Sequence, residues 1–268
     1  MSFIKDFFLN KERITKIMSD KIKNELNIDI PARQAIEASS QQSKAPVLKW
    51  LNHYRLLRGL PKEVQLKPRS NLADAIIAAG STISSSLTYQ SIIERHTQIY
   101  AICNSAEGVK VKQDDGSLKN RNLKSLLSKL LWLLHPNVVP IFDSQARNAM
   151  TVVARLAEKV PTPDIQSKKN ATLDAFCTFL ELHKLCFAEF YEAIDTLIIE
   201  EFGKIFDGVP RKSGGSITEQ DARSQYANHI TVIDQLLWHL GSEIPLEGCI
   251  TKRVRKKTTS IKTSIDTS

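Results

Sequence analysis

The stretch running from Asn122 to Met150, NLKSLLSKLLWLLHPNVVPIFDSQARNAM, constrains the fold more than any other. Leu126, Leu127, Leu130, Leu131, Leu133 and Leu134 keep a helical period among good helix formers, which predicts a mostly buried helix from Leu123 to Leu134. His135 and Pro136 end it. The run from Asn137 to Phe142 cannot continue as helix, because Pro140 lacks an amide donor and biases Val139 towards extended geometry. Asp143 stands directly before SQARNAMTVVARLAEKV, where its carboxylate can accept the free amides of a first turn; this predicts a helix reaching about Lys159 with Asp143 as its N-cap. Capping alone is a complete role for such a residue.

Helix, short extended crossing with a proline, then Asp-Ser on the next helix resembles the helix-hairpin-helix DNA glycosylase superfamily, in particular its 8-oxoguanine-glycosylase-like branch. In that family the proline-preceded Asp is catalytic, so the resemblance implies a catalytic Asp143. Leu123-Lys-Ser-Leu-Leu-Ser-Lys129 falls where the family carries Leu-Pro-Gly-Val-Gly-Arg-Lys, which puts Lys129 at the position of the catalytic lysine. Both hairpin glycines are replaced, by Ser125 and Leu127, and the link from Lys129 to Asp143 is shorter than in the family. Near the C-terminus Asp234-x-x-Leu-Trp238-x-x-Gly241 is similar to the closing helix of bacterial relatives of the same branch. The implied architecture is all-α, a multi-helix glycosylase-like fold with two helical lobes around a cleft and room for one small β-hairpin.

Helical periods recur along the rest of the chain. Asn10 precedes a stripe of Ile14, Ile17, Met18 and Ile22 on a helix predicted to end near Asn27, and Asp29-Ile-Pro31 predicts a second, short helix to about Ala38. Pro46 starts a helix with Trp50, Tyr54 and Leu57 on one face, and Ser70 to Gly80 reads as a capped helix stopped by glycine. Thr88 caps a helix through Ile102. The segment Gly108 to Ser117 alternates apolar and basic residues into Asp115-Gly116, so a hairpin and an irregular loop both remain open. Ala171 to Phe206 reads as one long helical segment bent near Lys184, and Thr218 opens a last helix stopped by Gly241. Residues 1–241 are thus expected to form one domain, with a lobe boundary near 160–170, and residues 242–268 a basic, disordered tail. Lys252, Arg253, Arg255, Lys256, Lys257 and Lys262 against Asp266 leave residues 252–268 at +5.

A net charge of +8 and a pI near 9.3 suit a polyanionic partner. The cysteines Cys103, Cys177, Cys186 and Cys249 form no C-x-x-C pair and no zinc-type spacing, which predicts reduced thiols, a cytoplasmic setting and no metal. No stretch has the apolar length of a membrane span. No cofactor is implied, and a monomer is expected.

Three function classes follow. The first is a DNA glycosylase that hydrolyses the N-glycosidic bond of a damaged or modified base flipped from DNA and leaves an abasic site. Repair and defence against phage DNA carrying modified bases are both open as its role. Asp143 would stabilise the charge on the sugar and activate water, and Lys129 would either attack the sugar, adding a lyase activity, or hold a phosphate. Lys119, Arg121, Lys124, Ser125, Ser128, Ser144 and Arg147 are the candidate DNA contacts, and Trp132, Phe142, Asp234 and Trp238 the candidate walls of the base pocket. The second class is a non-catalytic helical DNA- or protein-binding module of the same shape, which the missing glycines favour and the Lys129 and Asp143 pair disfavours. The third, a metal hydrolase, lacks any carboxylate and histidine cluster at ligand spacing.

Overall fold

The computed structural model describes residues 2–39, 44–56, 68–106, 111–112, 115–119, 124–157, 173–207 and 217–243. Twelve α-helices lie within them: α1 (Ser2–Phe8), α2 (Lys11–Glu37), α3 (Lys44–His53), α4 (Pro68–Ala78), α5 (Gly80–Ile83), α6 (Ile92–Ser105), α7 (Lys124–Leu134), α8 (Ser144–Leu156), α9 (Leu173–Phe187), α10 (Tyr191–Asp207), α11 (Glu219–Tyr226) and α12 (His229–Glu243). Between α6 and α7 an antiparallel ribbon pairs β1 (Val111–Lys112) with β2 (Leu118–Lys119), two residues a strand, so the fold is all-α. Its turn uses Gly116 at φ +83°, where a side chain would be strained. No described helix is long and apolar enough to cross a membrane.

The axis of the fold is α2, against which α3, α4, α7, α10, α11 and α12 pack. Its length corrects the expectation of two helices broken near Asn27. Pro31 sits inside a continuous helix, where it leaves the carbonyl four residues back, that of Asn27, without its usual amide partner. Lys49 of α3 supplies a donor, its Nζ lying 3.3 Å from that oxygen. Asp29, expected as a cap, is instead fully buried within the helix.

Three further breaks differ from the sequence pattern. The bend expected at Lys184 falls at a 3₁₀ turn, Ala188–Phe190, after the buried Phe187 ring, which packs on Phe8 with centroids 4.7 Å apart. The last helical segment is two helices, because the Asn228 side chain accepts the Thr231 amide at 2.8 Å and Asp195 accepts that of His229 at 2.7 Å; together they make a new helix start. The helix expected to end at Gly80 does stop just before it, at Ala78, with Gly80 opening α5, whereas Gly241 lies inside α12 and does not stop it. Both lie where two backbones nearly touch: a Cβ on Gly80 would stand 1.8 Å from the Ile36 carbonyl oxygen, and one on Gly241 2.6 Å from that of Gln145. The expected lobe boundary near 160–170 and the basic tail from residue 244 onward lie outside the described residues.

Candidate active site

Leu126, Leu127, Leu130, Leu131 and Leu133 anchor α7 in the core, and the crossing from His135 to Phe142 runs back across it. His135 Nε2 lies 2.9 Å from the Ile83 carbonyl oxygen, and the Ser128 hydroxyl donates to the Phe142 carbonyl at 3.3 Å. These ties fix where α8 begins. Asp143 is its N-cap: Oδ1 accepts the amides of Gln145 at 3.0 Å and Ala146 at 2.9 Å. Its other oxygen, Oδ2, is 3.5 Å from Lys129 Nζ. The two residues singled out for chemistry, fourteen apart in sequence, thus form an ion pair, and both are largely shielded from solvent. Lys129 Nζ also lies 5.0 Å from the centre of the Tyr54 ring.

The pair opens into a cavity of about 390 Å³, walled by α2, α3, α7, α8 and α12 and by Ile141 of the crossing. That size is within the range of small-ligand sites. Acidic groups outnumber basic ones in its lining, Asp20, Glu25, Asp143 and Asp234 against Lys21 and Lys129, with His53 and His239 beside them. Trp238 stands in the same wall and is 42% exposed, a large aromatic face open to solvent.

Asp234 is 3% exposed. Its Oδ2 accepts the Ile141 amide at 2.7 Å, and its Oδ1 is buried with no hydrogen-bond partner. Burial holds the carboxyl well above the ordinary carboxylate value; the Ile141 amide, Lys129 and Lys21 pull it down, and the nearby Asp143 charge pushes it up. Desolvation outweighs the partners, so the net shift is upward and favours the protonated form.

The sequence pattern missed a second layer of the site. Lys21 of α2 pairs with Glu25, donates to the Tyr54 hydroxyl at 3.2 Å and lies 4.8 Å from the Trp132 ring centre. Burial brings its amine down to about 8. The Tyr54 hydroxyl is also in contact with Glu25 and 3.0 Å from Asp29 Oδ1, while Tyr226 donates to Asp29 Oδ2 at 2.8 Å. The signal was present: Lys21, Glu25 and Asp29 recur every fourth residue, and Lys21 falls on the Ile14, Ile17, Met18 and Ile22 face. Charges on a core stripe are worth a functional question.

Several site expectations need correction. Trp132, a candidate pocket wall, is core, and its Nε1 donates to Thr231 Oγ1 at 3.3 Å. Phe142 is also core, packed on Phe176 and Phe179 with centroids 5.5 and 5.3 Å away. Both rings belong to large apolar side chains on the inner faces of their segments, where burial outweighs any gain from lining an open cavity. Ser128 is buried and spent on Phe142, out of reach of DNA. Arg147 is half-buried, its guanidinium 5.2 Å from the Phe142 ring centre and its Nε donating to the Asp143 carbonyl at 3.3 Å. Ser144 is exposed in the first turn of α8. Lys119 is placed by its backbone on β2, and Lys124 and Ser125 by theirs at the start of α7; Arg121 lies outside the described residues. No protein-family model, curated protein or solved structure matches the chain.

Proposed function

We propose that the chain is a DNA glycosylase that hydrolyses the N-glycosidic bond of a modified base flipped out of the duplex. The observation that carries this is the convergence of Lys129 and Asp143, 3.5 Å apart, on a carboxylate-rich cavity with an exposed tryptophan in its wall. Departure of a base leaves positive charge on the sugar, and a fixed carboxylate stabilises that charge and accepts a proton from the attacking water. Asp143 is suited to both tasks, with Oδ1 locked by two amides and Oδ2 turned towards Lys129. An ion-paired ammonium has no free lone pair, so water is the nucleophile and an abasic site the product. A lining richer in carboxylates than in cations disfavours a phosphate inside the cavity, and the flipped base is the part of DNA that can enter. DNA phosphates fall instead to exposed Ser144 at the start of α8 and the basic segments around β2 and α7.

The test is base release from duplexes carrying single modified bases, read after alkali cleavage. In Asp143→Asn release is expected to fall by about 10²–10³-fold, while the amide still caps α8 and the fold persists. Undiminished release would end the catalytic assignment. Failure of the wild-type protein on a broad panel, with tight DNA binding retained, would favour the non-catalytic binding module. A borohydride-trapped adduct lost in Lys129→Gln would replace water by the amine as nucleophile.

A further inference from the structure

Two carboxyl groups, Asp143 and Asp234, line this cavity in unlike surroundings, and acid–base cleavage of a glycosidic bond divides its work between two carboxyls. Asp143 is an N-cap, held by amides and an ammonium. Asp234 lies in the apolar middle of α12, flanked by Ile233, Leu236 and Leu237, all fully buried. The charged and titratable groups around it come from four other elements: Lys21 of α2, Lys129 of α7, Asp143 before α8 and the Tyr191 phenol of α10. No direct ion pair joins Asp234 to either lysine among the described residues; its one partner is the Ile141 amide. An unpartnered buried oxygen forfeits its hydration and gains no bond in exchange. A purely structural acceptor for the Ile141 amide needs only Oδ2, which leaves Oδ1 without a purpose inside the protein.

Resting on the excision reading above, we infer that Asp234, in the cavity wall, is the general acid of the reaction, its carboxyl delivering a proton to the departing base while Asp143 acts on the sugar side. As the bond from C1′ to the base nitrogen breaks, its electron pair moves onto the base, and the Asp234 proton adds to the base's ring nitrogen or exocyclic oxygen. Water bonds to C1′ and gives up one proton to Asp143. The products are the neutral base and an abasic sugar; Asp234 is left as carboxylate and Asp143 protonated, and exchange with solvent restores both. The substrate class follows. The excised base must present an acceptor atom towards α12, and bases that leave poorly as anions gain most from the acid.

Asp234→Asn separates proton transfer from recognition. Asparagine keeps an acceptor for the Ile141 amide and a donor at the other position, so the fold and the base contact survive, but it has no proton to transfer. With duplexes carrying 8-oxoguanine, hypoxanthine, uracil or 5-hydroxymethyluracil, the single-turnover rate on whichever is released is expected to fall about 10²-fold or more. Affinity for the matching duplex with a non-cleavable 2′-fluoro sugar should change less than about threefold. The wild-type rate should decline on the alkaline side of its pH profile, and the variant should lose that limb. In the free protein the infrared C=O band of a protonated carboxyl should be present at neutral pH and should lose intensity in the variant, so that the wild-type-minus-variant difference shows it. A variant with the wild-type rate and the same alkaline limb would overturn the inference. So would weakened binding at unchanged rate, which makes Asp234 a recognition contact, or a wild-type-minus-variant infrared difference with no protonated-carboxyl band at neutral pH. If no duplex loses its base with the wild-type protein while the protonated-carboxyl band is present, the excision reading itself has failed and the acid role falls with it.

Discussion

Gly241→Ala tests whether the closeness of α12 and α8 holds the site together. The added Cβ would stand 2.6 Å from the Gln145 carbonyl oxygen and 3.2 Å from its carbon. Both are backbone atoms, so no side chain can rotate away, and the helices must part by about half an ångström. Overpacking of this kind destabilises by about 1–3 kcal/mol, against a gain of about 1 kcal/mol from replacing glycine in a helix. The net loss, up to roughly 2 kcal/mol, corresponds to a fall in Tm of up to about 8 °C for a chain of this size. The control is Gly203→Ala in α10, where nothing lies within 4 Å of the new atom. Only the propensity term acts there, and Tm should rise by about 2–4 °C. Calorimetry on the two variants gives opposite signs for the same chemical change. Equal shifts in one direction would refute the close crossing. Gly241→Ala should also slow base release, because Gln145 donates to Asp143 Oδ1 and moving it disturbs the cap.

Other expectations are independent of that crossing. Pro31→Ala restores an amide donor to the middle of α2 and should raise stability by about 1–3 kcal/mol in denaturant unfolding; no change would mean the Lys49 contact already compensates fully. Asp234→Asn should be more stable than wild type at neutral pH. The native carboxyl holds a proton that the unfolded chain releases above the ordinary value of 3.8, so wild-type stability falls as pH rises from there towards the raised native value. The gap between the two proteins should widen by about 1.4 kcal/mol per pH unit in that window and close below it, and a pH-independent gap would contradict a buried neutral acid. Trp238→Ala should leave Tm nearly unchanged but weaken binding to a duplex with an unpaired base by about 1–3 kcal/mol in fluorescence titration, unless Trp238 stacks on nothing.

What could be read from the sequence was whatever lies within a few residues along the chain. The α7 helix, its stop at His135, the Asp143 cap and the Asp115-Gly116 turn follow from neighbours in sequence, and the structure has them. Gly241 looks like a helix stop because glycine so often is one; only a second backbone, distant in sequence, shows that it permits contact. Pro31 breaks a helix unless a donor arrives from elsewhere, and Lys49 is eighteen residues further on. At the site, Lys129 and Asp143 share a segment and could be paired by motif, whereas the walls could not. Trp132 and Phe142 were apolar residues near the right place, and only packing decides which side they face.

The cavity draws Lys21 and Glu25 from α2 and Asp234 and Trp238 from α12, more than two hundred residues apart, and these helices pack directly on each other. A ribosome delivers α2 early and α12 late, so every partly made chain has the amine and lacks the acid. The long loop closed between them also places this contact among the slower ones to form. A nascent chain therefore carries no finished pocket. The proposed activity needs the whole fold in place, so that base release, if measured during refolding, should lag behind the recovery of helix.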